Sequence, residues 1–117
     1  MKKILFLLMM FIPVFCFAAS GILTSQGGVS SLPISKGQKW EISCDNSKEE
    51  IQMVNWNTGD CITFKKTGNM SVNGALNYDS YFKGKNISSV WIYLRINNNN
   101  INEMSIKTFY GTTYFKP

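Results

Sequence analysis

The sequence predicts a small all-β domain, an antiparallel β-sandwich, carried behind a secretory signal peptide. Three observations predict it. Short runs with a period of two recur from Lys39 to Phe115, separated by Gly-, Asn- and Asp-containing breaks. The chain has 117 residues, enough for one small core. Its first twenty-one residues run from basic (Lys2, Lys3) through apolar (Ile4 to Phe17) to small (Ala18, Ala19, Ser20, Gly21), which is the order of a cleaved export signal.

The apolar run is shorter than the ~20 residues that a membrane-spanning helix needs. Cleavage after Ser20 puts Ala18 and Ser20 at the positions that want small side chains, and Gly21 becomes the new N-terminus. Cleavage after Ala18 would use Cys16 and Ala18; cleavage after Ala19 would put the bulky Phe17 in one of them. Cys16 follows Pro13, Val14 and Phe15, which are too large for a lipid-modified cysteine, so it belongs to the discarded segment. Residues 21–37 are rich in Gly, Ser and Pro and read as a flexible N-terminal arm. The folded domain is expected over 38–117.

Trp40, Ile42 and Cys44 alternate with Lys39, Glu41 and Ser43 as a half-buried strand does. Ser47-Lys48-Glu49-Glu50 has the form of a capping box, so a short helix near 48–55 competes with a strand there. Ile62 and Phe64 mark the next strand, and Lys66 to Asn69 a turn into Met70 to Tyr78. Gly84 marks another turn. From Ile87 to Ile96 comes the strongest β-segment, with Val90, Ile92, Leu94 and Ile96 on one side and Trp91, Tyr93 and Arg95 on the other. Asn97 to Asn100 read as a polar hairpin loop or a breaker. Met104, Ile106 and Thr108 begin a last strand pair, which turns at Gly111 into Thr112 to Phe115.

Loss of Lys2 and Lys3 with the signal peptide lowers the formal charge from +5 to +3. That mild excess suits an anionic surface such as lipopolysaccharide or phospholipid headgroups, although ordinary solubility explains it as well. Without a Lys/Arg stripe, and in an exported protein, nucleic acid is not an expected partner. The chain has no histidine, which removes the commonest general base and most transition-metal sites. The carboxylates Glu41, Asp45, Glu49, Glu50, Asp60, Asp79 and Glu103 show no paired spacing, and no phosphate loop or calcium loop is present. The expectation is a protein that is not an enzyme and uses no cofactor and no metal.

Cys44 and Cys61 remain after cleavage. In an oxidising compartment a disulfide between them is expected, and closing so short a loop would contribute roughly 3 kcal/mol. Among the many aromatic residues, Trp91 and Tyr93 are the candidate exposed face, able to stack on sugars or anchor a partner; filling the core is the competing reading.

The Lys-Lys signal peptide, the Gly at the expected new N-terminus, the small basic β-domain and the Cys44–Cys61 spacing resemble the dispersin family of secreted bacterial surface-coat proteins. So do Ser71-Val72-Asn73-Gly74-Ala75-Leu76-Asn77-Tyr78 and Phe82-Lys83-Gly84. The likeness spans Cys44 to Gly84. It implies a β-sandwich with one disulfide, export by dedicated machinery, and a virulence role at the bacterial cell surface. A basic face would bind lipopolysaccharide on the outer membrane and modulate adhesion; Lys65, Lys66, Lys83, Lys85, Arg95 and Lys107 are its candidates. It also implies acylation of Gly21, although Ile22 stands where relatives continue a run of glycines. Two other readings fit a small exported β-domain: a carbohydrate-binding module like the receptor-binding subunit of a toxin, and a periplasmic inhibitor or immunity protein.

Overall fold

The computed structural model describes residues 19–117, so residues 1–18 of the expected signal peptide lie outside the described residues. Eight strands follow one another: β1 (Ala19–Ser25), β2 (Lys39–Cys44), β3 (Glu50–Asn55), β4 (Cys61–Val72), β5 (Ala75–Phe82), β6 (Lys85–Asn97), β7 (Asn100–Thr108) and β8 (Gly111–Lys116). Each is antiparallel to the next, and β8 pairs with β1, so the sheet closes into a barrel. The all-β, antiparallel expectation holds. The sandwich is replaced by one closed sheet, because β1 joins the last strand to the first and leaves no division into two layers. The helix considered near 48–55 is also replaced. Asp45 Oδ1 accepts the Glu49 N–H at 2.9 Å and organises a turn, and β3 then alternates Ile51, Met53 and Asn55 inward.

Period-two patterning fills the interior. Trp40, Ile42, Phe64, Tyr78, Met104, Ile106 and Phe115 are among the residues fully buried inside, and eight strands enclose a space just wide enough for such side chains to fill. The outer wall carries Glu41, Lys65, Arg95 and Lys107, all exposed. That is the reverse of barrels that cross membranes, whose outer band is apolar.

Three hairpins turn on two residues that both have positive φ: Asn73-Gly74, Lys83-Gly84 and Asn98-Asn99. This is the type I′ geometry, whose twist matches that of the flanking strands. The asparagine run is therefore a hairpin rather than a breaker.

The flexible arm expected over 21–37 is instead built into the barrel. Gly21 to Thr24 pair with Ile42 to Lys39 on β2, and Leu23, Val29, Leu32 and Ile34 are buried in the core. The Gly- and Ser-rich composition reflects close packing rather than freedom. A side chain on Gly21 would collide with the Ile101 carbonyl oxygen. After β1 the chain folds over the mouth of the barrel. Val29 and Ile34 form an isolated bridge, and the Thr113 hydroxyl donates to the Gly28 carbonyl at 2.9 Å. Ala19 is buried and paired with Cys44. Cleavage after Ser20 would thus remove the first two residues of β1, whereas cleavage after Ala18 would leave the strand whole.

The expected disulfide is not formed; both cysteines are free. Cys44 is opposite Ile51 and Cys61 opposite Val54, on the two sides of β3. Three residues along the strand and two strand spacings separate their Cα atoms by roughly 13 Å, about twice what a disulfide spans. Cys44 also faces the core while Cys61 is exposed. Burial raises the pKa of both thiols; Asp45 adds to the shift at Cys44, with Lys48 opposing it, and a hydrogen bond with Thr63 opposes it at Cys61. At neutral pH both therefore hold their protons more firmly than an ordinary thiol, and accessibility separates them. Under native conditions a thiol reagent should modify Cys61 and leave Cys44 untouched until the chain unfolds. Intact mass of residues 19–117 without reductant should show no loss of two hydrogens.

Tyr78 ties the core to the β2–β3 turn. Its buried hydroxyl donates to the Lys48 carbonyl at 2.6 Å. Burial foremost, then the charges at Cys44, Asp45 and Glu49, raises this phenol above its ordinary pKa of 10.0. The folded chain holds the proton to higher pH than the unfolded chain does. The contribution is whole below about pH 10 and is lost progressively as pH rises above it. Tyr78→Phe should cost about 1 kcal/mol near neutral pH through the lost hydrogen bond. It should also flatten the decline of stability above about pH 10 in denaturant titrations.

Candidate functional site

Strand alternation sends Val90, Ile92 and Leu94 of β6 inward and Trp91, Tyr93 and Arg95 outward. Register then sets their neighbours. Trp91 lies between Asn77 on β5 and Lys107 on β7, and Lys107 in turn faces Thr112 on β8. Tyr93 is opposite Ser105, and Ser105 is opposite Tyr114. The small residues Ala75, Ser105 and Thr112 leave space between the two large rings, Lys107 and the β4–β5 hairpin. The result is an open groove of about 330 Å³ on the outer wall, lined also by Val72 and Asn73. That volume is at the lower end of the ~300–1,000 Å³ usual for small-ligand clefts.

The groove walls are held in place. Gly74, at φ +82°, sits against the face of Tyr93, where an added Cβ would lie 3.4 Å from two ring carbons. Asn77 bridges three strands beside Trp91. Its amide donates to the Ser89 hydroxyl at 3.0 Å and the Val90 carbonyl at 3.1 Å, and its Oδ1 accepts the Thr67 hydroxyl at 2.6 Å. Tyr93 keeps 38% of its surface exposed, and Trp91 is half-buried. Both candidate aromatic residues therefore line one surface, together with the polar residues Asn73, Ser105, Lys107 and Thr112. Such a surface can stack on an apolar face and hydrogen-bond around its rim.

The six candidate basic residues are not brought onto one face. The β1–β2, β3–β4, β5–β6 and β7–β8 connections share one end of the barrel, here called the upper end, and the other connections share the lower end. Lys83 and Lys85 flank the upper β5–β6 turn, and Lys107 lies just below the β7–β8 turn. Arg95 lies toward the lower end, and Lys65 and Lys66 lie midway along β4, beside Glu50 and Glu49 at the lower β2–β3 turn. All three have acidic neighbours: Lys66 pairs with Glu49 at 3.2 Å, and Arg95 is opposite Glu103. Lys65 is opposite both Glu50 and Asp79 and places its ammonium 5.2 Å from the Tyr81 ring centroid. Gly21, the candidate for acylation, is the third residue of β1.

Val72, Asn73, Ala75, Ser105 and Thr112 were not legible as groove residues, because their convergence depends on register across five strands. The outward direction of Trp91 and Tyr93 was. Scans against protein-family models, curated proteins and solved structures found no match to this chain.

Proposed function

We propose that the chain is a non-enzymatic binding module that holds a saccharide in the Trp91–Tyr93 groove. One observation carries this reading: two aromatic side chains stand on the same outer face above a floor of small residues, with hydroxyl and ammonium groups at the edge. A sugar ring offers C–H groups on one face and hydroxyls around its perimeter, and both find partners there. The reading suits an exported protein that meets glycans at a cell surface.

The surface-coat reading draws on the same setting but on a different part of the molecule. Its six basic residues are not brought onto one face of the barrel, and the disulfide that the resemblance implies is absent. An electrostatic coat is therefore supported less well than a groove ligand.

Saturation-transfer NMR with mono- and disaccharides, followed by a glycan array, tests the proposal. Saccharide protons should receive saturation from the protein, and the Trp91 indole resonance should shift on titration. Trp91→Ala should weaken binding by about tenfold or more, which corresponds to ~1.4 kcal/mol or above, measured well below the melting temperature because this half-buried ring also contributes packing. Equal binding by the variant, or no glycan binding by the parent, would remove the reading.

A further inference from the structure

The β7–β8 hairpin breaks the rule that the other tight hairpins follow. Its two turn residues are Phe109 and Tyr110, and neither has positive φ. Unprimed two-residue turns twist against the flanking strands and are disfavoured in hairpins. Gly111, directly after the turn, compensates with a positive φ of 149°, and Thr108 clamps the turn: its Oγ1 accepts the Tyr110 N–H at 3.2 Å and donates to the Gly111 carbonyl at 3.3 Å. The clamp holds two large rings in solvent. Phe109 is 97% exposed and Tyr110 84%, and the rings meet edge to face with centroids 5.6 Å apart. The turn needs neither ring, and the core covers neither. Both therefore expose apolar surface, which points to an external partner.

The surroundings indicate which partner. The alternating topology puts the β3–β4 connection at the same end, and it carries the exposed Trp56. Lys36, Lys39, Lys83, Lys85 and Lys107 lie in the turns and strand tips of that end, against the carboxylate Asp60. The opposite end carries Asp45, Glu49 and Glu50 close to Lys48, Lys65 and Lys66, so its charges balance locally. The upper end is thus a protruding surface with aromatic side chains on two separate turns and cations between them. Projecting rings among lysines suit a flat, deformable, anionic layer better than a cleft. Tyr and Trp are favoured at the depth of lipid headgroups, Phe just below it, and each lysine near an anionic leaflet adds attraction.

We infer that the upper end of the barrel docks on a bilayer of anionic phospholipid, with Phe109 and Tyr110 entering the headgroup layer and Lys83 and Lys85 meeting the phosphates. This contact is separate from the groove: it uses the tip of the β7–β8 hairpin, while the groove lies on the wall below.

Co-sedimentation with phosphatidylglycerol and phosphatidylcholine vesicles tests it, using the chain from residue 19. At low salt the parent should pellet with phosphatidylglycerol and stay in solution with phosphatidylcholine. High salt should release it. Phe109→Ser with Tyr110→Ser should lower the partition roughly tenfold, with an unchanged circular dichroism spectrum. Lys83→Glu with Lys85→Glu provides a second variant outside this turn and should lower it as well. A parent that stays in solution with phosphatidylglycerol, or a double-serine variant that pellets as the parent does, overturns the inference.

Discussion

Closure of the sheet by β1 is the constraint on which the rest of the molecule depends. The strand pairs with β2 along its length, touches β7 through Ser20 and Asn100, and pairs with β8 at Thr24 and Ser25. Without it, β2 and β8 would both present open edges, and Leu23 would leave the core. Gly21 permits the contact, since its missing side chain lets β1 lie against the Ile101 backbone. A closed barrel has no edge to protect, and a fully occupied interior supplies its stability through burial. The disulfide is therefore not needed to pin the fold, and Cys44 serves as a small apolar core residue.

Closure also determines where function can reside. Large side chains such as Trp40, Phe64, Tyr78 and Phe115 occupy the interior, and the groove lies on the outer wall. On the wall, residues of the β4–β5 hairpin, β7 and β8 line a groove beside Trp91 and Tyr93. At the upper end the capping segment 26–38 fills the mouth, and the hairpin turns project around it. The strands that carry the groove also carry the aromatic tip, so Lys107 and Thr112 stand between the two surfaces.

Local patterning was legible where it depends on neighbours in sequence. The alternation of Val90, Ile92 and Leu94 against Trp91, Tyr93 and Arg95 predicts the inward and outward faces of β6 as they stand. Asn97 to Asn100 read as a hairpin loop or a breaker, and the tolerance of asparagine for positive φ makes them the hairpin. What failed depends on distant pairing. Residues 21–25 read as an arm because Gly, Ser and Thr resemble a linker, whereas their partners on β2, β7 and β8 make them a strand. Sandwich and barrel share the same strand patterns and differ in whether β8 finds β1. The cysteine pair followed from the expected compartment alone, and a register that places the two cysteines on opposite sides of β3 overrides it. Phe109 and Tyr110 gave no signal, since aromatic residues in a β-domain are ordinarily core.

Amide hydrogen exchange of the chain from residue 19 tests the closing role of β1 most directly. If β1 completes the barrel, the amides of Leu23 and Ser25 exchange as slowly as those of β3 and β6, and they open together with the global unfolding of the domain. Rapid exchange of residues 20–25 beside a protected β2–β8 sheet would contradict it, leaving an open sheet with a free N-terminal segment.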